Sequence, residues 1–234
     1  VKSADPSPRN ARSVVMLGAT GAVGGAALSA LLASTERVRV TTLGRGLVSQ
    51  PADSRLSQHV VDVADPSAYA TLLAGHDSAI CTLGVGQPSK ISREAFVRID
   101  KDAVLAFATA CKQAGVRHFE LLGSLGSDPA SRSFFLRTKG ELQAALVALG
   151  FERLSLFQPS MILTPSNRYG LAQAITLAVW PKLNFVLQGR LQSARGIPVE
   201  VLGAAMAHNL RTTGRGVERL TWRDFMDLVH PGQP

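Results

Sequence analysis

The chain has 234 residues, 46% of them hydrophobic and 18% charged. That excludes an intrinsically disordered protein and suffices for one generous domain without disulfide or metal staples. Lys and Arg outnumber Asp and Glu by 25 to 17, a net charge of +8, which raises the question of an anionic partner. Beyond the first dozen residues the cations are scattered with no adjacent run. Neither a nucleic-acid partner nor a membrane surface is therefore expected, and most of the excess reads as solvated surface.

Residues 1–12, with Pro6, Pro8 and mixed charge, read as a disordered tail ahead of a single domain over residues 13–234. The tail has no apolar stretch or cleavage site of the kind a signal peptide needs. Val14-Val15-Met16-Leu17 is a continuous apolar run, the pattern of a strand buried on both faces. A glycine-rich turn from Gly18 to Gly25 follows, then a helix over Ala26–Ala33. Strands are expected at Val38–Leu43 and Gln58–Val61. Asp65-Pro66 has the signature of a helix start, an N-cap followed by Pro in the first turn. Gly75-His76-Asp77 is a turn, and Ser78–Leu83 a fourth strand.

Arg93–Ala114 reads as one long helix, with Phe96, Ile99, Val104, Leu105 and Ala108 at helical spacing and Gly115 ending it. His118–Leu122 is a strand, Ser133–Leu149 a helix closed by Gly150, and Arg153–Phe157 a sixth strand. Strands alternating with helices imply parallel pairing through right-handed crossovers. The fold class is α/β: a doubly wound, mostly parallel Rossmann sheet. From residue 159 the rhythm changes, punctuated by Pro165, Pro181 and Pro198. Residues 159–234 read mainly as a small C-terminal substrate lobe on the sheet's carboxyl edge, with helices at Gly170–Trp180 and Val199–Arg211.

Cys81 and Cys111 fall in apolar stretches and fit no metal spacing, so buried reduced thiols and a cytoplasmic location are expected. No apolar run is long enough to cross a bilayer. The five histidines form no paired ligand motif, and no metal is expected.

Gly18-Ala19-Thr20-Gly21-Ala22-Val23-Gly24 has the pattern G-x-x-G-x-x-G between a strand and a helix. Gly18 permits the tight turn, Gly21 lets a pyrophosphate approach the backbone, and Gly24 packs helix against strand. Amides at the helix start then face the phosphates. A dinucleotide of the NAD(P) type is the expected cofactor. The second strand ends in Leu43-Gly44-Arg45-Gly46, with none of the acid that holds the free ribose hydroxyls of NAD. A guanidinium at Arg45 suits a 2′-phosphate, so NADP is expected over NAD. Asp62-Val63, after the third strand, either contacts the adenine or caps the following helix.

These pieces, with Gly75-His76-Asp77, Phe96-Val97-Arg98-Ile99-Asp100, Lys139-Gly140-Glu141 and Pro198-Val199-Glu200, together resemble the short-chain dehydrogenase/reductase superfamily. More narrowly the chain is similar to its atypical branch, the Tat-interacting protein (CC3-like oxidoreductase) group and its bacterial relatives, over nearly all of Val14–Val229. The resemblance implies NADP in a Rossmann fold and, for animal members, regulatory protein-binding roles.

The superfamily's chemistry rests on a Ser and a Tyr-x-x-x-Lys pair, one helical turn apart. Lys139 matches the lysine, which by resemblance also holds the nicotinamide ribose, and Ser124 matches the serine. Phe135 stands where the family has Tyr, and it has no hydroxyl. Tyr69 and Tyr169 are the chain's two tyrosines, and neither has a Lys four residues on. Gly123-Ser124-Leu125-Gly126 has the wrong spacing for a hydrolase elbow. Leu83 and Gly84 bring backbone near the cofactor, and Gln158-Pro159-Ser160 closes over the nicotinamide, unless each is an ordinary βα loop. The expected function is an NADP-dependent oxidoreductase, or an isomerase with a transient redox step, on a small carbonyl or alcohol. The alternative is a weak or inactive NADP-binding module with a protein partner.

Overall fold

Apolar runs too short for helices and bounded by glycine turns have one economical arrangement, pairing side by side between layers of helix. The computed structural model describes residues 12–164 and 189–232 and shows that arrangement. Strands β1 (Arg12–Leu17), β2 (Val38–Gly44), β3 (Leu56–Val60), β4 (Ser78–Cys81), β5 (His118–Leu122) and β6 (Arg153–Phe157) share one sheet. A separate ribbon pairs β7 (Met161–Leu163) with β8 (Gly196–Pro198), and β9 (Gly216–Leu220) completes the main sheet in the order β3-β2-β1-β4-β5-β6-β9. Every pairing is parallel. The order reverses between β1 and β4, which opens a crevice at their carboxyl ends.

Helices α1 (Ala22–Ala33), α2 (Arg93–Val97), α3 (Ala103–Gln113), α4 (Phe134–Ala148), α5 (Val199–Asn209) and α6 (Trp222–Val229) cover the two faces. Alternation along β1 shows how. Val15 and Leu17 join a core with Phe107, Phe119, Leu142 and Leu146, while Val14 and Met16 join one with Leu28, Leu202, Met206 and Phe225. Successive strand side chains point to opposite faces, so a run of four apolar residues feeds both cores.

The structure departs from the sequence expectation in several places. Asp65 does cap through Ser67 N, but no α-helix follows: two 3-10 turns, Pro66–Ala68 and Ala70–Leu73, are separated at Tyr69. The single helix expected over Arg93–Ala114 is interrupted by a π-turn at Arg98–Asp102, a feature that often marks a functional position. The helix after the glycine loop begins at Ala22 rather than Ala26, and β4 stops at Cys81.

Residues after 159 do not all lie at the carboxyl edge: β9 extends the main sheet and α5 lies against α1. Gly203 makes that approach possible, because a Cβ there would stand 2.5 Å from the Ala26 Cβ and 2.6 Å from Ala27 N. The helix expected at Gly170–Trp180 and Tyr169 lie outside the described residues. No described helix is long and apolar enough to cross a membrane.

Beneath α5 a polar cluster is buried. Arg153 donates to Glu218, to the Asn209 and Thr212 carbonyls and to the Asn209 side chain. Asn209 Nδ2 donates to Glu120 Oε1 at 2.8 Å and to Ser155 Oγ at 3.0 Å, and a His118 ring nitrogen lies 2.9 Å from the same hydroxyl. Glu120 Oε2 has no hydrogen-bond partner among the described residues. Burial pushes the Glu120 carboxyl up and the His118 imidazole down to about 3.

Candidate active site

The glycine loop takes its shape from what its residues lack. Gly18 sits at φ +94°, and a Cβ there would stand 2.6 Å from Leu83 N. At Gly24 a Cβ would meet Gly18 O at 2.3 Å and Thr82 Oγ1 at 2.5 Å. Thr82 Oγ1 donates to Gly18 O at 3.1 Å, so loop and β4 end are stitched together. At Gly21 a Cβ would meet only Gly18 O, at 3.2 Å, and otherwise open space. Gly21 is also the N-cap of α1, with no side-chain cap and no acid in the first turn. Amides left without intrahelical partners and facing an open cradle suit an anion, so the residues present fit a dinucleotide phosphate.

Thr20 is exposed and Ala22 half-buried at the same mouth, whereas the Val23 side chain is in the core, leaving its backbone amide as the group available. Arg45 and Gly46 are exposed just past β2, with no ion pair to Arg45 among the described residues. Asp62 accepts from Ala64 N at 2.9 Å, which makes it a turn-stabilising residue. Val63 and Leu83 pack partly against the core, and the Leu83 amide nitrogen abuts Gly18. Gly84 is exposed, and a Cβ on it would lie 3.0 Å from Asp100 Oδ1 and 3.8 Å from Lys139 Nζ.

Lys139 and Asp100 pair in the candidate site. Lys139 Nζ lies 2.7 Å from Asp100 Oδ1, and Val85 N donates to Asp100 Oδ2 at 2.8 Å. Asp100, in the π-turn, therefore ties the loop after β4 to the lysine of α4. In the sequence Asp100 closes the Phe96-Val97-Arg98-Ile99-Asp100 motif without a role of its own. Its signal was an acid on the apolar stripe shared by Phe96, Ala103 and Phe107.

Ser133 caps α4 by accepting from Leu136 N. The Ser124 segment is held against α4 and the β6 end: Leu125 N donates to Pro159 O at 3.0 Å, and Asp128 N to Leu136 O at 3.2 Å. Gly140 allows this, because a Cβ there would stand 2.2 Å from the Asp128 carbonyl carbon. Among the described residues, Ser124 Oγ has only a long 3.5 Å contact, to Leu125 O, so toward them its hydroxyl is nearly uncommitted. Gln158, at the β6 end, is buried and donates to Gln143 Oε1 at 2.9 Å, so its side chain braces α4.

Phe135 is half-buried, 5.6 Å from the Phe96 ring, which also lies 5.9 Å from Phe134. Tyr69, by contrast, is wholly buried against Phe107, its hydroxyl unpartnered and pushed up to about 12 by desolvation. It belongs to the core rather than to the candidate site. No cluster of metal ligands occurs among the described residues.

A concavity of about 980 Å³ lies at the opposite, amino edge of the sheet. It is lined by Arg12, Arg37, Arg117, Arg211 and Arg215 with Glu36, Asp77 and Glu152, and contains none of the site residues. Arginines scattered in sequence meet there because each precedes or opens a strand or follows a helix. Helix C-termini point toward that edge of a parallel α/β sheet and favour cations, so this concavity has a structural explanation.

A family model described as NAD(P)H-binding matches residues 18–151. The chain is 34% identical to Protein HTATIP2 of Rattus norvegicus over 209 residues, 88% of this chain and 84% of that protein. It is 27% identical to Protein FMP52, mitochondrial, of Saccharomyces cerevisiae over 232 residues, 92% and 95% of the two chains. Among solved structures, MoeE5 in complex with UDP-glucuronic acid and NAD superposes with a TM-score of 0.70 at 17% identity, covering 89% of this chain and 75% of that one. The triphenylmethane reductase of Citrobacter sp., complexed with NADP(H), gives 0.62 at 15% identity, covering 89% and 69%.

Proposed function

The chain belongs to the NAD(P)H-binding family, and from that premise we propose that it is an NADP-dependent oxidoreductase acting on a small organic substrate held over Lys139 and Ser124. The observation that carries this reading is the Lys139–Asp100 pair beside Gly84, at the mouth of the crevice that the glycine loop opens. Bound there, NADP would supply a hydride or accept one. Gly18, Thr20, Gly21, Ala22 and the Val23 amide would cradle its phosphates, Arg45 and Gly46 its 2′-phosphate, and Lys139 its nicotinamide ribose. Asp62, Val63, Leu83 and Gly84 would line its flanks. Ser124 orients the substrate with an uncommitted hydroxyl. NADP over NAD rests on Arg45 and on the missing acid at the end of β2.

A second reading is favoured by Phe135: a protein that binds NADP without rapid turnover and acts through a protein partner. The phenol it lacks would contribute roughly 10²–10⁴-fold by general acid catalysis. Both readings require NADPH to raise the melting temperature, and no rise would remove both. Turnover with NADPH then separates them. The two free, buried cysteines support a cytoplasmic location, whereas the FMP52 relatives are mitochondrial by name. Cell fractionation distinguishes the two.

A further inference from the structure

Resting on the oxidoreductase reading, we propose that the hydride acceptor is quinonoid: a planar conjugated dicarbonyl whose reduced form is a phenolate. Three features around Lys139 point to it. The position one helical turn before Lys139 carries a ring without a hydroxyl, Phe135, packed on Phe96 and beside Phe134. Lys139 is held by Asp100, and Ser124, the serine that the resemblance pairs with it, is an aliphatic alcohol. Two guanidiniums rim the aromatic wall, with Arg93 Cζ 5.1 Å and Arg137 Cζ 5.9 Å from the Phe134 ring centroid.

The acceptor's chemistry follows from the missing acid. A ketone or aldehyde that takes up hydride becomes an alkoxide, a base comparable to hydroxide, whose conjugate acid water has a pKa of about 15.7. It needs a proton at the moment of transfer. A quinone that takes up hydride becomes aromatic and carries its charge as a phenolate, whose conjugate acid has a pKa of about 10. That anion can leave the site and take its proton from water.

In the step, a C–H bond of the dihydronicotinamide breaks and its hydrogen, with both electrons, bonds to one quinone oxygen; the conjugated π system rearranges to an aromatic ring, and the other oxygen keeps the negative charge. NADPH is oxidised to NADP⁺, and one proton from water completes the hydroquinone. The aromatic wall offers a stacking face for such a ring, and the guanidiniums favour the anion formed.

The test uses menadione as the quinone and benzaldehyde as the carbonyl, under anaerobic conditions. Menadione should quench the intrinsic fluorescence of the NADP⁺-loaded protein, and Phe135→Ala should weaken that binding about two- to tenfold, the worth of one aromatic pair. Menadione should oxidise NADPH with a solvent isotope effect near unity, while benzaldehyde is reduced at least about a hundredfold more slowly, as expected without general acid. Phe135→Tyr should raise benzaldehyde reduction by a factor at least about tenfold larger than its effect on menadione reduction, because only the first needs the phenol.

Equal rates for the two acceptors overturn the proposal, as does equal acceleration of both by Phe135→Tyr. Loss of menadione reduction in Tyr169→Phe also overturns it, by assigning the proton to that phenol. NADPH binding without menadione binding removes this proposal alone, whereas no NADPH binding removes the oxidoreductase reading as well.

Discussion

Lys139 Nζ stands 2.7 Å from Asp100 Oδ1, and both side chains are more than nine-tenths buried. Removing one partner leaves the other charge uncompensated in a poorly solvated place, which costs about 3–5 kcal/mol. Asp100→Ala should lower stability by that amount in urea unfolding. The double replacement Asp100→Leu with Lys139→Met should lose less than the sum of the two single changes. Additive losses would show that the pair is not energetically coupled.

The glycine loop gives a prediction about cofactor and stability together. Gly24→Ala places a Cβ 2.3 Å from Gly18 O, a backbone atom that cannot swing away. The loop must shift, so the variant should lose the rise in melting temperature that NADPH produces. Gly25→Ala, whose Cβ would come no nearer than 3.4 Å to Ala19 O, should keep both the fold and the NADPH response, which makes it the control.

Arg45 is exposed and projects from the end of β2. A charge-assisted hydrogen bond to a 2′-phosphate contributes about 1.5–3 kcal/mol, so Arg45→Ala should raise the Kd for NADPH by roughly ten- to a hundredfold. NADH affinity should hardly change. Titration of both nucleotides by fluorescence reads the difference, and equal losses would refute a 2′-phosphate contact.

Glu120 and His118 set opposing pH dependences. Burial raises the folded-state pKa of Glu120 above its ordinary value of 4.5. As pH rises past that value the unfolded chain ionises while the folded one stays protonated, and stability falls. Glu120→Gln should therefore gain on the wild type as pH increases above about 4.5. Burial depresses His118 from 6.5 to about 3, so the unfolded chain binds the proton first and stability is lost as pH falls below 6.5. His118→Asn should flatten that acid limb in urea unfolding measured across the range.

The strands β5 and β6 were legible to the residue, because each apolar run follows a glycine with positive φ, Gly115 or Gly150. The glycine loop was legible because its sequence states its own sterics. β9 was not: it is an edge strand whose half-buried face carries Glu218 and Leu220 and whose exposed face carries Val217 and Arg219, so hydrophobicity does not alternate with its burial. Asp65-Pro66 announced a helix correctly at its cap but not in its length, since Tyr69 departs from helical backbone and drops into the core. Asp100 escaped because its partners, Val85 and Lys139, are distant in sequence and only the parallel crossover brings them together.

The absent side chain of Gly203 has one more consequence, for divisibility. Helix α5, from the last third of the chain, shields α1 at nearly backbone-to-backbone distance. A truncation near Pro159 would remove that cover and uncover apolar surface that the helix behind the glycine loop now shares with Leu202 and Met206. The segment that reads like an appendage in sequence is a wall of the nucleotide half, so the two cannot be harvested separately or exchanged as modules.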